Sequence, residues 1–151
     1  MSYFFSNDSI LKIGHNLKYD IKVLAKYHME VKGKLFDTML AHYLANPDGR
    51  HSMDILSEKY LNYKPVSITE LIGKKGKGQL NFRDVPLEKA TEYAAEDADV
   101  TLQLHQKFNE VIAKSGLQKL YVDVEMPLVS VLADMEFEGV AVDVPFLQNY
   151  S

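Results

Sequence analysis

The stretch of sequence that decides the fold runs Tyr93-Ala94-Ala95-Glu96-Asp97-Ala98-Asp99-Val100-Thr101. At about 100° per residue, one face of a long helix here carries Ala90, Tyr93, Ala94, Asp97, Thr101, Leu104 and Phe108. Asp97 lies in the middle of this inward face, whereas Glu96 and Asp99 point towards solvent. An unpaired buried carboxylate is costly, so Asp97 needs hydrogen bonds, a cation or a proton. Asp97 is therefore either a metal ligand or a buried capping residue, and the pattern alone favours neither.

A second informative carboxylate, Asp20, follows the mostly apolar run Ile10–Ile13, which fits a buried interior strand. Gly14 ends this strand, and Asn16 is a suitable N-cap for the helix that follows. Asp20 then lies at the rim of the buried helix face, close to the carboxyl end of the strand. Ligands bind at that edge in open α/β sheets. A single carboxylate at a helix rim is usually only solvated. Asp20 therefore becomes a strong site candidate only when it is considered together with Asp97.

The other predicted elements follow from periodicity and from turn residues. In chain order they are a strand at 34–36, a helix from Asp37 to about Ala45, a turn at 46–49, a helix with an inward stripe of Met53, Leu56 and Tyr60, a helical turn at 68–72, a flexible basic loop at 73–78, a long helix from Pro86 to about Lys114, a helix at 119–138 with a kink at Pro127, a strand at 140–142, and an element beginning at Pro145.

Composition limits the chemistry. The 151 residues contain no cysteine, which excludes disulfides, thiolate metal sites and a cysteine nucleophile. Any metal must be held by carboxylates, histidines or carbonyls, which favours Mg²⁺ or Mn²⁺. No apolar run approaches the ~18 residues that a membrane span needs, so we expect a cytoplasmic protein with no membrane partner. The formal charge of −4 does not decide for or against nucleic acid, because metal ions neutralise a carboxylate site.

Two segments together resemble one known family. Gly14-His15-Asn16-Leu17-Lys18-Tyr19-Asp20 resembles the second exonuclease motif of family A DNA polymerases, and Tyr93 to Thr101 resembles the third motif in its tyrosine-containing form. Further segments match the family in the same order: 36–40, 49–54 and 76–80 between the motifs, and 125–140 after them. His15 departs from the pattern, since a neutral amide is common there. The resemblance covers nearly the whole chain from Ile10 onward.

The resemblance implies an α/β, RNase H-like 3′→5′ exonuclease fold of the tyrosine-containing DEDD type, mostly helical here with a few short strands. It implies two Mg²⁺ or Mn²⁺ ions that act on the single-stranded 3′ end of DNA. By it, Asp97 is a ligand of the first metal, Asp20 serves the second, and Tyr93 orients the attacking water. It also places Asn16 and Arg50 near the DNA end and lets Phe82 pack on a terminal base.

The first motif of the family, an Asp-x-Glu pair on a strand, is not found ahead of Ile10. The later pairs Asp123/Glu125 and Asp134/Glu136 lie in a predicted helix, where residues i and i+2 diverge by about 200° and cannot share a metal. We therefore expect a partial site, weak or no metal binding, and a chain with no meaningful activity alone. We also expect self-association through the exposed edge of an N-terminally truncated sheet.

The expected domains are a partial exonuclease domain at 1–116 and, at 117–151, a linker helix with the start of a polymerase domain. The expected function is the proofreading exonuclease part of a bacterial DNA polymerase. One alternative is a non-catalytic module that supports the polymerase or binds DNA. Another is a related RNA-trimming exonuclease, against which the polymerase-like segment from Glu125 to Val140 argues.

Overall fold

Two short parallel strands, β1 (Lys12–Gly14) and β2 (Leu35–Asp37), lie among helices that form most of the chain. The computed structural model describes residues 2–150. The helices are α1 (Ser2–Ser6), α2 (Leu17–Ala25), α3 (Thr38–Ala45), α4 (Met53–Leu61), α5 (Ile68–Ile72), α6 (Leu87–Lys114), α7 (Gln118–Leu120), α8 (Met126–Glu138) and α9 (Val144–Tyr150), with a 3-10 turn at Phe82–Asp84 and a π-helical turn at Tyr121–Glu125. Within residues 2–150, no helix is long and apolar enough to cross a membrane.

Helix α6 is the spine of the fold. It packs against α3, α4 and β1. Pro86 immediately precedes its first residue, and Gly116, with a φ of 70°, lies just past its end, as the sequence predicts. Its fully buried residues recur every four positions and so form one stripe: Val100, Leu104, Phe108 and Ile112.

The carboxylate of Asp37 ties the strand ends to two helices. Its Oδ1 accepts hydrogen bonds from the N–H groups of Met39 (2.9 Å) and Leu40 (3.2 Å), at the start of α3. Oδ1 also accepts from the N–H of Asn16 (3.2 Å), and Oδ2 accepts from that of Leu17 (2.7 Å), at the start of α2. Helix N-termini present unpaired N–H groups and partial positive charge, so one buried carboxylate stabilises both helices.

The hydroxyl of Tyr121 holds the backbone at the same point. It accepts a hydrogen bond from the N–H of Asp37 (2.8 Å) and donates one to the carbonyl of Asp37 (3.0 Å). The ring is buried and contacts Phe36, with ring centroids 5.0 Å apart. Burial raises the pKa of Tyr121 well above its ordinary value. The π-helical turn is thereby fastened to the end of β2.

Helix α8 lies against α2. The Glu136 carboxylate bridges the ammonium groups of Lys18 (2.6 Å) and Lys22 (2.5 Å), and these two cations lower the pKa of Glu136 to about 2. Because such partly exposed ion pairs contribute little to stability, this one mainly fixes how the two helices are oriented. Glu136 therefore has an ion-pairing role, in keeping with its rejection as half of a metal-binding pair.

Several predicted boundaries are wrong. β1 begins at Lys12, two residues later than predicted; Lys12 is buried, and its ammonium group donates hydrogen bonds to the carbonyls of Asn7 and Lys32. The helix predicted over 119–138 contains the π-helical turn immediately before α8. Pro127 has no N–H to donate to the carbonyl four residues earlier, so regular α-helical bonding is interrupted there. The predicted strand at 140–142 is an exposed coil.

β1 and α2 border an apolar cavity of about 300 Å³. β1 pairs with β2 along one edge, and no other strand of the described residues pairs with it. The aromatic rings of Phe4 and Phe5 lie at the cavity rim in edge contact, with centroids 5.2 Å apart. A free strand edge beside an apolar cavity is a surface on which chains associate.

We expect the 151-residue chain to self-associate in solution for this reason. Sedimentation velocity across a concentration series should show species larger than the monomer, together with binding of an apolar fluorescent dye. Phe4→Lys, which places a charge on a half-exposed ring of the apolar cavity, should shift the population towards monomer. A compact monomer at all concentrations with no dye binding would contradict this expectation.

Asp37→Ala should destabilise the fold by about 2–4 kcal/mol, because two helices lose their N-terminal acceptor and four N–H groups lose a partner. The measurement is urea unfolding followed by circular dichroism. Asp48→Ala, in the exposed turn after α3, is the matched control and should change the free energy of unfolding by less than about 0.5 kcal/mol. Equal effects from the two substitutions would contradict the capping role of Asp37.

Candidate active site

Asp20 lies over the carboxyl end of β1 because Gly14 lets α2 approach the strand closely. A Cβ at Gly14 would meet Cδ2 of Leu17 at 2.3 Å, so a larger residue there would force the Leu17 side chain to move. The same Cβ position lies 3.7 Å from Oδ2 of Asp20. The close packing of β1 and α2 thus sets where this carboxylate stands.

Asp97 reaches the same place from α6. Asp20 and Asp97 both line an open cleft of about 360 Å³ between the end of β1, α2 and α6. The floor of the cleft is apolar, with Ile13 from β1 and Met53 from α4, and His15 lies at its side. Two carboxylates that are far apart in sequence therefore share one cleft.

The two carboxylates stand in an environment that favours their neutral forms. Burial, and next the charge of Asp37, raise the pKa of Asp20. Burial also raises the pKa of Asp97, although a hydrogen bond from Tyr93 partly lowers it. Among the ion pairs of the described residues, none includes either carboxylate. The cleft therefore carries negative charge that no side-chain cation neutralises.

Tyr93 stands one turn before Asp97 on α6, at the border of a second pocket formed with α5. Burial, and next the Asp97 carboxylate, raise the pKa of Tyr93 to about 12. The phenol is therefore a neutral hydrogen-bond donor throughout the physiological range. Tyr93 is joined to the cleft through Asp97, while its ring faces the neighbouring pocket.

The three expected DNA-contacting residues lie at separate places, and none of them lines this cleft. Phe82, in the 3-10 turn, packs against the Tyr93 ring with centroids 5.8 Å apart, and it remains 39% exposed. Arg50 is exposed in the segment that leads into α4. Asn16 occupies the N-cap position of α2, as predicted, but it has a left-handed φ of 68° and its side chain makes no cap hydrogen bond. It lines a small cavity between α2, α3 and α8.

The cleft offers the type of ligand that a hard divalent cation prefers, but too few of them to hold the ion alone. Asp20 and Asp97 offer carboxylate oxygens, which Mg²⁺ and Mn²⁺ prefer. Within the described part of the chain, no group of three or more acidic or histidine side chains converges on a metal position. The two carboxylates would hold such an ion only with water or further ligands.

Two features beside the cleft escaped the sequence analysis. Glu96, expected to point to solvent, accepts hydrogen bonds from the Tyr63 hydroxyl (2.5 Å) and the Val66 N–H (2.8 Å), and so ties the segment before α5 to α6. The ring of His15 bonds the Thr38 hydroxyl through Nδ1 at 2.9 Å. The stretch GHNLKYD indicated a site, but its spacing could not reveal partners that come from other elements.

Comparison with a family model identifies the class of protein. The model, described as 3′-5′ exonuclease, matches residues 1–113, which is the part of the chain that contains both Asp20 and Asp97. The chain belongs to this 3′-5′ exonuclease family.

Curated relatives show which proteins of this family the chain is similar to. The chain is 42% identical to DNA polymerase I of Rhizobium leguminosarum over 96% of its length, 43% identical to DNA polymerase I of Pseudomonas aeruginosa over 91%, and 40% identical to DNA polymerase I of Chloroflexus aurantiacus over 97%. It spans only 14%, 15% and 16% of these polymerases. The sequence thus corresponds to a part of DNA polymerase I that includes the matched 3′-5′ exonuclease region.

A solved structure supports the same fold. The POL domain of Pol1 from M. smegmatis, in complex with DNA primer-template and dNTP, superposes with a TM-score of 0.78 at 23% identity. The match covers 98% of this chain and 22% of that one. The arrangement of helices around the strand pair is therefore shared with a larger polymerase.

Tyr93→Phe should raise the pKa of Asp97 further, because the phenol hydrogen bond is the interaction that lowers it. The measurement is a pH titration of the aspartate carboxyl carbons by ¹³C NMR. Tyr27→Phe, an exposed tyrosine at the end of α2, is the control and should leave Asp97 unchanged. A titration of Asp97 that stays the same or moves to lower pH in Tyr93→Phe would show that the two side chains do not interact in this way.

Proposed function

We propose that this chain supplies part of the active site of a proofreading 3′→5′ exonuclease that removes nucleotides from the 3′ end of DNA. The observation that carries the proposal is the meeting of Asp20 and Asp97 in one cleft without any neutralising side chain. In it, Asp97 and Asp20 hold divalent metal ions, Mg²⁺ or Mn²⁺. Family membership supports the general use of divalent ions.

Each side chain then has a separate task. Two divalent ions, when bound, activate a water and stabilise the leaving oxygen of an in-line displacement. Asp20 and Asp97 supply oxygen ligands from opposite walls of the cleft. Tyr93, neutral because its pKa is about 12, donates its hydrogen bond to Asp97, and its oxygen accepts one from the attacking water and so keeps that water oriented.

The DNA end approaches along the rim in this proposal. Phe82 packs against Tyr93 with the two rings tilted, and it presents an exposed face to a terminal base. Asn16 and Arg50 contact the sugar and phosphate of the last nucleotides. The substrate is a single-stranded 3′ end, and the relatives are DNA polymerases. The same proposal places the protein in the cytoplasm, where a bacterial chromosome is replicated.

The wider architecture belongs to the proposal too. We assign residues 1–116 to a partial exonuclease domain of RNase H-like type and residues 117–151 to a linker helix that leads into a polymerase domain. The end of the family match at residue 113 and of α6 at Lys114 supports this boundary.

One observation favours a second function. Since no three-ligand metal group forms within residues 2–150, the chain also suits a non-catalytic module that binds DNA or supports a polymerase domain. The two functions differ in whether adding ligands to the cleft restores cleavage.

The 151-residue chain alone should show no meaningful exonuclease activity. Mg²⁺ demands near-octahedral oxygen ligation, so two carboxylates bind it weakly and neither the water nor the leaving group is preorganised. Loss of one well-placed electrostatic group commonly lowers the rate ~10²–10³-fold. The test is digestion of 3′-labelled single-stranded DNA with Mg²⁺ or Mn²⁺, beside a fusion that places an Asp-x-Glu strand from a curated relative ahead of residue 1.

The fusion should trim the DNA, and Asp97→Ala in the fusion should abolish trimming. Asp99→Ala, exposed on the other side of α6, is the matched control and should not. A fusion that folds and binds DNA without cutting it would support the non-catalytic module instead. Trimming by the 151-residue chain that disappears in Asp97→Ala would show that its site is complete.

A further inference from the structure

One carboxylate that the proposed chemistry does not use ties a long connecting segment to α6. Residues 62–85, which we call the strap, follow α4 and include α5, the basic loop at 73–78 and the 3-10 turn. Oε1 of Glu96 accepts a hydrogen bond from the Tyr63 hydroxyl (2.5 Å), and Oε2 accepts one from the Val66 N–H (2.8 Å). Among the hydrogen bonds within residues 2–150, no other joins the strap to α6.

Burial holds the strap at the same place and hardly anywhere else. Pro65, which lies between the two bonded residues, is buried, whereas every residue from 73 to 84 is exposed. A segment with few buried contacts opens at low cost in free energy. The attachment of the strap is therefore concentrated at residues 63–66, where Glu96 bonds it.

A backbone hydrogen bond carries this attachment to the far end of the strap. The N–H of Leu80 donates to the carbonyl of Ile72 at 2.9 Å, which closes the basic loop and joins the end of α5 to the 3-10 turn. Phe82 begins that turn, and its ring packs against Tyr93 with centroids 5.8 Å apart. A continuous path thus runs from the Glu96 carboxylate through α5 to the Tyr93 ring.

The strap and α6 face each other across a pocket of about 380 Å³. Val66 and Leu71 line it from the strap, and Tyr93 and Glu96 line it from α6. Because Tyr93 and Glu96 stand three residues apart on one helix, their side chains lie on the same side of it. The bonds to Glu96 therefore set how closely the strap approaches Tyr93.

We propose that Glu96 is a positioning residue for Tyr93: it latches the strap onto α6, and the latched strap holds Phe82 against the Tyr93 ring. This inference rests on the proposed function, in which Tyr93 orients the attacking water. Glu96 acts through the strap, whereas Asp97, the next residue, lines the cleft itself. Two adjacent carboxylates of one helix thus have different tasks.

The first test is amide hydrogen exchange, followed by NMR, on the 151-residue chain. In Glu96→Ala the Val66 N–H should exchange about tenfold faster, the scale of losing one charge-assisted hydrogen bond. Glu110→Ala removes another bonded carboxylate of α6, the partner of Lys114, and as the matched control it should leave Val66 unchanged. Equal exchange at Val66 in Glu96→Ala and in the unmodified chain would overturn the latch.

The second test follows the contact between Phe82 and Tyr93. In Glu96→Ala the nuclear Overhauser effect between the two rings should weaken, and the Tyr93 ring signals should shift towards those of Phe82→Ala, in which the contact is removed outright. Glu96→Gln should preserve the contact, because its amide oxygen can accept from the Val66 N–H and its amide N–H can donate to the Tyr63 oxygen. Unchanged Tyr93 signals in Glu96→Ala, or an equal change in Glu96→Gln, would overturn the positioning role.

A double-mutant cycle separates the latch from a general loss of stability. Tyr63→Phe removes one of the two bonds and should loosen the ring contact less than Glu96→Ala does. In the Glu96→Ala background it should have no additional effect, since the latch is already open. The midpoint of urea unfolding should be the same in these variants. Additive effects, or a lower midpoint that accompanies the NMR changes, would overturn the proposal.

The fusion with an Asp-x-Glu strand connects the latch to catalysis. In the fusion, Glu96→Ala should lower kcat about 10–100-fold with little change in KM, because the attacking water is misplaced after substrate has bound. Glu96→Gln should restore kcat. Absence of trimming by the unmodified fusion would contradict the proposed function, while the NMR tests decide the latch separately. Unchanged kcat in Glu96→Ala, in a fusion that trims DNA, would overturn the positioning of Tyr93.

Discussion

The fold depends on one buried carboxylate. Asp37 ends β2, begins α3 and reaches across to the first turn of α2, so the two helices that flank the strand pair share a single acceptor. Because the Tyr121 hydroxyl bonds both the N–H and the carbonyl of Asp37, the π-helical turn is fixed at the same residue. The cleft inherits this geometry, since α2 carries Asp20.

Helix α6 is the second element on which the structure depends, because it contributes residues to both the core and the cleft. Its C-terminal half supplies the buried stripe, while its N-terminal half carries Tyr93 and Asp97 to the surface. A carboxylate on a long, well-packed helix is held more rigidly than one on a loop. Glu96, between Tyr93 and Asp97 in sequence, extends that rigidity to the segment ahead of α5.

The sequence predicts the parts of this structure that depend on local spacing. The helix start at Asp37, the end of α6 at Lys114 and the position of Asp20 just after β1 follow from periodicity and turn residues. The pattern fails where partners are distant in sequence. The burial of Lys12 depends on carbonyls outside its own strand, and the N–H groups at the start of α2 are capped by Asp37, about 20 residues later in the chain. Local sequence patterns give no signal for contacts between residues that are distant in the chain.

The cleft holds two carboxylates in surroundings that are unfavourable for their charge. Burial raises the pKa of Asp20 and of Asp97, and Asp37 and Asp54 add negative charge nearby. An arrangement selected only for stability would place a lysine or arginine there, as Lys18 and Lys22 are placed beside Glu136. Leaving the two carboxylates without a cation costs stability, and the proposed metal ions would supply the missing positive charge. The glutamate on α8 that forms ion pairs orients two helices, whereas Asp20 and Asp97, which form none, are the carboxylates that the proposed site would use.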